Sequence, residues 1–268
     1  LKATRYEVTD RVARLTLHRP ERRNAWTGRM HLEYRWAMTE AEADPDVRVV
    51  VVRGAGDSFC VGADARALEG HAERGAYDDG LRGAEPPMPP VERPFAADFA
   101  FQLGMRTPVV AEVNGAAAGV GLAVACFADI RFAAAGAKLT AAAPKLGLPA
   151  EYGLSWLLPR LVGAGRAADW LLSGRVFLAE EAASVGLFSE VVPSEALGPV
   201  VAERARTLAH HVSPASVSVT KQQLWGELLA GDPASSVRRS VELLREMTQG
   251  ADFAEGTRAL AEKRPPAF

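Results

Sequence analysis

The stretch Val110–Asp129, VAEVNGAAAGVGLAVACFAD, decides how this chain is read. A short apolar strand from Val109 to Val113 runs into Asn114-Gly115, and every side chain from Gly115 to Gly121 is Gly, Ala or Val. An apolar helical run then leads to Asp129. Side chains this small let another group approach the backbone closely, and a helix starting beside that approach points unpaired N–H groups outward. Backbone donors aimed at one point stabilise negative charge growing on a carbonyl oxygen, the chemistry of an oxyanion site. The same residues also suit tight packing of a helix on a strand, so the stretch by itself leaves both readings open.

Upstream lies a second stretch of the same kind. Val47 to Val52 is a β-branched run interrupted only by Arg48, as expected of a strand buried on both faces. It is followed by Arg53-Gly54-Ala55-Gly56-Asp57-Ser58-Phe59-Cys60-Val61-Gly62-Ala63-Asp64, a glycine-rich turn leading into a helix from Ala65. Small residues again precede a helix start after a buried strand. Strands alternating with helices predict right-handed crossovers, a mainly parallel sheet and an α/β fold.

The 268 residues are 48% hydrophobic and 24% charged, with a formal net charge of -2. These values fit a soluble globular protein and give no electrostatic case for binding nucleic acid or an anionic membrane surface. The two cysteines, Cys60 and Cys126, and the five histidines show no metal-ligand spacing, so neither a disulfide framework nor a metal site is expected. No apolar run is long enough to span a bilayer and no secretory leader pattern is read, which makes a cytoplasmic location the expectation.

Alternation predicts a hairpin over residues 5–17 with its turn at Thr9-Asp10. A charged loop from His18 to Ala25 follows, then a helix capped by Thr27 or Gly28 and ended by Asp44-Pro45-Asp46. Residues 70–94, with four glycines and five prolines, read as a mobile excursion, either a solvated loop or a lid. A helix is expected from Phe95 to Met105. Strands follow at Ile130–Ala133 and Ala137–Thr140, then a helical segment running up to Pro159. Gly163-Ala164-Gly165-Arg166-Ala167-Ala168 matches the dinucleotide fingerprint on paper but follows a helical segment rather than a strand, so it is rejected. Beyond Ser194 the pattern is helical: Glu195–His211, Pro214–Leu229, Pro233–Met247 and Ala251–Glu262. The boundaries are therefore a core over 1–195 and a helical region over 196–268.

Taken together, Ser58–Asp64, Val113–Gly121, Asp129, Trp156–Gly163 and the C-terminal Asp252–Gly256 with Glu262–Pro265 resemble the enoyl-CoA hydratase/isomerase (crotonase) superfamily. The resemblance runs in order along essentially the whole chain. It implies a spiral of ββα units with a C-terminal helical trimerisation region, assembled as a homotrimer or a dimer of trimers. It also implies an acyl-CoA thioester substrate, with coenzyme A part of the substrate and no separate cofactor. By position, the N–H groups of Ala63 and Val120 would form the oxyanion hole. Arg23, Ala25, Ala63, Asp64, Leu68 and Lys263 would meet the coenzyme A, although Asp64 and Asp129 equally suit helix caps or structural acceptors.

The sequence departs from the family where the proton is moved. The two glutamates that hydratases of the family use correspond to Ala123 and Ala143, and alanine has no proton to exchange. Glu151, in the segment that normally delivers the second glutamate, is the candidate acid/base; it also suits charging of a helix N-terminus. Glu112 sits in a buried strand and reads as structurally paired. Glu69, His71, Glu73, Tyr77 and Asp78 of the excursion rank below Glu151. The small residues Ala123, Ala141, Ala142 and Ala143 imply a roomy acyl pocket. Three functions follow from these residues: an enoyl-CoA hydratase using Glu151, a 3-enoyl to 2-enoyl-CoA isomerase using one carboxylate, or an acyl-CoA-binding homologue without catalysis.

Overall fold

The computed structural model describes residues 1–64, 87–230, 238, 241–244, 246–262, 264 and 266–267. The chain opens with a hairpin of β1 (Thr4–Thr9) and β2 (Val12–Leu17), paired antiparallel with Thr9 opposite Val12. Its turn is Asp10-Arg11, one residue later than the sequence suggests, and both residues take positive φ (51° and 64°). That left-handed pair matches the twist of the flanking strands. Helix α1 (Gly28–Ala43) is capped by Thr27, whose hydroxyl accepts from the Met30 N–H at 3.2 Å.

Strand β3 (Val49–Gly54) explains its own composition. Val50 and Val52 face the main core, while Val49 and Val51 face a second apolar layer, so every valine is buried. β3 lies parallel between β2 and β5 (Val109–Val113), and the sheet continues through β7 (Ile130–Ala134) to β10 (Glu190–Val192). The second layer is completed by a helix, Ser194–His210, which sets Leu197, Val201, Ala205 and Ala209 against Val49, Val51, Val110 and Phe132.

A second, smaller sheet runs alongside. Its order is Ser58–Cys60 (β4), Ala116–Ala118 (β6), Lys138–Thr140 (β8) and Phe177–Leu178 (β9), parallel except at its last pair. β3, β5 and β7 of the large sheet each feed directly into a strand of the small one, and a helix follows β6. This is the repeating ββα unit. The three-residue strand Ala116–Ala118 has no sequence signal of its own, because alanine is a weak strand former; its neighbours on either side create it.

Two helices differ from expectation. In place of one helix over 95–105 there is a single 3-10 turn, Arg93–Phe95, and a one-turn helix α2 (Phe101–Gly104); Phe99 at φ 61° breaks the run between them. The helix α4 (Leu154–Val162), which follows α3 (Val120–Cys126) along the chain, carries on through Pro159 instead of stopping there. Gly163 then joins α4 to α5 (Ala164–Ser173), in agreement with rejection of a dinucleotide motif. Among the described residues no helix is long and apolar enough to cross a membrane. Residues 65–86 and most of the expected helix 233–247 lie outside the described residues.

Candidate active site

The site grows from the C-terminal ends of β4 and β6. The two strands are parallel neighbours, Ser58 beside Ala116 and Cys60 beside Ala117, so the chain leaves both at the same edge. Beyond them it turns at Gly62 (φ 99°) and at Gly119 (φ 49°, ψ -118°). A Cβ on Gly119 would stand 3.9 Å from the Cα of Gly62, so the turns that precede Ala63 and Val120 lie side by side. The glycines divide the two roles that the sequence left open. At Gly115 and Gly121 a Cβ would collide with the carbonyl oxygens of Asp57 and Cys60, at 1.9 and 2.1 Å, so these positions serve close packing.

Among the described residues, both expected donors are unpaired. Ala63 forms a parallel bridge with Trp26, in which the Trp26 N–H donates to Gly62 O at 2.8 Å and the Asp64 N–H donates to Trp26 O at 3.0 Å. That pattern turns the N–H of Ala63 itself away from Trp26. Val120 is the first residue of α3, where the backbone N–H has no acceptor within the helix. Among the described residues neither N–H donates a hydrogen bond.

Glu151 joins them. Its Oε2 lies 2.9 Å from where a Cβ on Gly119 would be, closer than a real Cβ would tolerate, so the carboxylate occupies the space that the missing side chain leaves. The side chain is partly buried, and burial raises its carboxyl above the ordinary carboxylate range. By contrast Ala123, Ala141 and Ala143 are each no more than 2% exposed. The methyl groups of these three are packed, whereas Ala142, the fourth alanine expected to open a roomy pocket, is half-buried.

The loop read as the coenzyme A side is fastened to the same edge. Arg19 Nη1 donates to Ala25 O at 2.6 Å and pairs with Asp64 at 3.0 Å. The fully buried Asn24 accepts from the Arg19 N–H and donates to Ala55 O and Ser58 O. Arg19 and Asn24 both lie within the charged loop, but neither was given a role from the sequence. Arg23 is exposed at φ 49°, and the Ala25 N–H already donates to Arg22 O. Leu68 and Lys263, with Glu69, His71, Glu73, Tyr77 and Asp78, lie outside the described residues.

Two further carboxylates have partners of their own. Asp129 accepts from the Val109 N–H and from Trp225 Nε1, both at 2.7 Å, and pairs with Lys221. Glu112 stands across from Arg53 on the adjacent strand, 3.6 Å away, with burial raising its carboxyl.

The sequence profile of the family described as Enoyl-CoA hydratase/isomerase matches residues 7–268. The probable enoyl-CoA hydratase EchA12 of Mycobacterium tuberculosis (strain ATCC 25618 / H37Rv) is 35% identical over 96% of this chain and 89% of its own. The 1,2-epoxyphenylacetyl-CoA isomerase of Escherichia coli (strain K12) is 34% identical over 96% of this chain and 94% of its own. A crystal structure of a probable enoyl-CoA hydratase/isomerase from Mycobacterium abscessus superposes with a TM-score of 0.83 at 33% identity, covering 98% of this chain and 96% of that one. The paired strand ends, the alternating sheets and these likenesses agree: the chain belongs to the enoyl-CoA hydratase/isomerase family.

Proposed function

We propose that the protein is an acyl-CoA enzyme of hydratase type in which Glu151 alone moves the proton. The thioester carbonyl oxygen of a 2-enoyl-CoA accepts hydrogen bonds from the N–H groups of Ala63 and Val120, which polarises the conjugated double bond. Glu151 takes a proton from water as the water oxygen bonds to C3, giving an enolate held at the two N–H groups. The same carboxyl then delivers its proton to C2, so water has added across the bond and Glu151 is regenerated. Coenzyme A enters and leaves as part of the substrate. Arg23, Ala25, Ala63, Asp64, Leu68 and Lys263 are assigned to its recognition, residues 196–268 to trimer or hexamer assembly, and the cytoplasm to its location.

The observation that supports this reading is the nearness of the Glu151 Oε2 to Gly119, 2.9 Å from its absent Cβ and one residue from the Val120 N–H. One carboxylate also suits a second reaction, the shift of a 3-enoyl to a 2-enoyl thioester. There it removes a proton from C2 and returns it to C4 while the oxyanion hole holds the dienolate. The packed alanines at positions 123 and 143, which leave no second carboxylate there, favour that alternative.

Assays on 2-enoyl-CoA and 3-enoyl-CoA, with Glu151→Gln in parallel, decide between them. Hydration lost in the variant supports the main reading, and isomerisation without hydration supports the second. Binding without turnover of either substrate assigns the chain to acyl-CoA binding. Full activity of Glu151→Gln removes Glu151 from the mechanism.

A further inference from the structure

Among the described residues, no side chain or backbone N–H donates to the Glu151 carboxylate; burial alone acts on it. Something other than hydrogen bonding must hold it over Gly119. Its turn is tied at the backbone by the Leu154 N–H donating to Glu151 O at 3.0 Å. The next two residues, Tyr152 (φ 46°) and Gly153 (φ 76°), are both left-handed. For a bulky aromatic residue such a φ is an outlier that persists only when the surroundings enforce it.

The enforcing contact is with a second residue of the same kind. Phe99 also has positive φ (61°), is 1% exposed, and meets the ring of Tyr152 edge to face, with centroids 5.1 Å apart and planes at 87°. Phe99 in turn follows Asp98, whose Oδ1 takes a hydrogen bond from Arg35 Nη1 at 3.1 Å and lies 3.2 Å from His31 Nε2. His31 and Arg35 are one turn apart on α1. On the other side of the turn, Phe127 lies 3.3 Å from where a Cβ on Gly153 would be. An unbroken set of contacts thus runs from α1 through Asp98, Phe99 and Tyr152 to the peptide of Glu151.

We propose that Phe99, clamped through Asp98 to α1, is a positioning residue for Glu151: its ring seats Tyr152 and fixes the turn that carries the carboxylate. This rests on Glu151 being the acid/base. The Phe99 ring also meets Trp26, the backbone partner of Ala63, with centroids 5.5 Å apart, so loss of the ring is assigned to the proton-transfer step by the acid limb of the pH profile, which reports the Glu151 carboxyl. Loss of the ring also opens the turn to water. On β8, α3 and α4 no charged side chain shifts Glu151, so hydration of this turn is what would alter its titration.

The test is steady-state kinetics against pH on 2-enoyl-CoA for Phe99→Leu, Phe99→Tyr and Glu151→Gln, with thermal melts of each. Phe99→Leu is expected to lower kcat roughly tenfold or more with KM little changed, since small misplacements of a catalytic group cost that much. The acid limb of its kcat/KM profile should move to lower pH, and Phe99→Tyr should restore both. An unchanged kcat in Phe99→Leu beside an inactive Glu151→Gln overturns the proposal, as does a fall in kcat with an unmoved acid limb. An active Glu151→Gln overturns the reading beneath it instead. Should Phe99→Leu fail to fold, Asp98→Asn, altered at a partly exposed position, is expected to shift kcat and the acid limb in the same directions; no shift overturns the proposal.

Discussion

The Oε2 of Glu151 stands 2.9 Å from the point at which a Cβ on Gly119 would lie, so the carboxylate and the glycine occupy one another's space. Position 119 is constrained twice over. Its φ and ψ (49°, -118°) suit glycine alone, and any side chain there would displace the carboxylate. The residue that precedes Val120 and the residue read as the acid/base therefore form one unit.

Gly119→Ala should strike both halves of that unit. The backbone strain costs about 1–3 kcal/mol. Movement of the Val120 N–H should lower kcat on the order of a hundredfold, the usual effect of losing one oxyanion donor. A melt combined with kcat on a 2-enoyl-CoA checks this. A variant with near-normal kcat would separate Gly119 from the site.

Glu151→Gln should make the protein more stable at neutral pH while abolishing turnover. Burial raises the Glu151 carboxyl, so the folded chain retains a proton that the unfolded chain releases between the ordinary and the raised value. Stability therefore falls as pH rises through that window. Glutamine has no charge to desolvate. The variant should melt above the parent near pH 7, and the difference should close below pH ~4, where both states of the parent are protonated. Melts across that range decide it, and a variant less stable than the parent at neutral pH contradicts the assigned cause.

Much of this was legible beforehand, for identifiable reasons. The valines of β3 announce a strand because both of its faces are apolar, and Thr27 announces a helix start because its hydroxyl caps Met30. Ala116–Ala118 gives no such notice, since only pairing with Ser58–Cys60 and Leu139–Thr140 makes it a strand. The break at Phe99 is equally silent: phenylalanine has no preference for positive φ, and the Asp98 clamp beside it is seen only in the fold. Ala63 and Val120 were assigned through resemblance, and the division of labour among Gly115, Gly119 and Gly121 needed the distances.

Arg19→Met tests whether the charged loop is a positioned part of the site. Arg19 bridges Ala25 O and Asp64, joining the loop to the segment that carries Ala63. Its loss removes both hydrogen bonds from a pair that is largely covered, a cost of about 1–2 kcal/mol. KM for acyl-CoA substrates should rise while kcat changes less. An unchanged KM would place coenzyme A elsewhere.

Lys221→Met should destabilise the fold without changing the chemistry. Lys221 is 5% exposed, on the helix Pro214–Ala230, and its Nζ donates to Gln102 O (2.7 Å) and Thr107 O (2.9 Å) and meets Asp129 at 2.7 Å. Methionine keeps the volume but leaves two carbonyls and a carboxylate short of a donor. Asp129 retains the Val109 N–H and Trp225 Nε1, which soften the loss without neutralising the charge. Removing one partner of a buried pair typically costs about 3–5 kcal/mol, more than the pair itself contributes, because the remaining charge is stranded. Urea denaturation should show the drop at pH 7. The double variant Lys221→Met/Asp129→Asn should recover part of it, because the stranded charge is then gone. Turnover measured well below the melting temperature should stay close to that of the parent, since neither Lys221 nor Asp129 reaches the edge where Ala63, Val120 and Glu151 meet. A double variant no more stable than the single one would mean that the unsatisfied carbonyls of Gln102 and Thr107, and not the charge of Asp129, dominate the penalty.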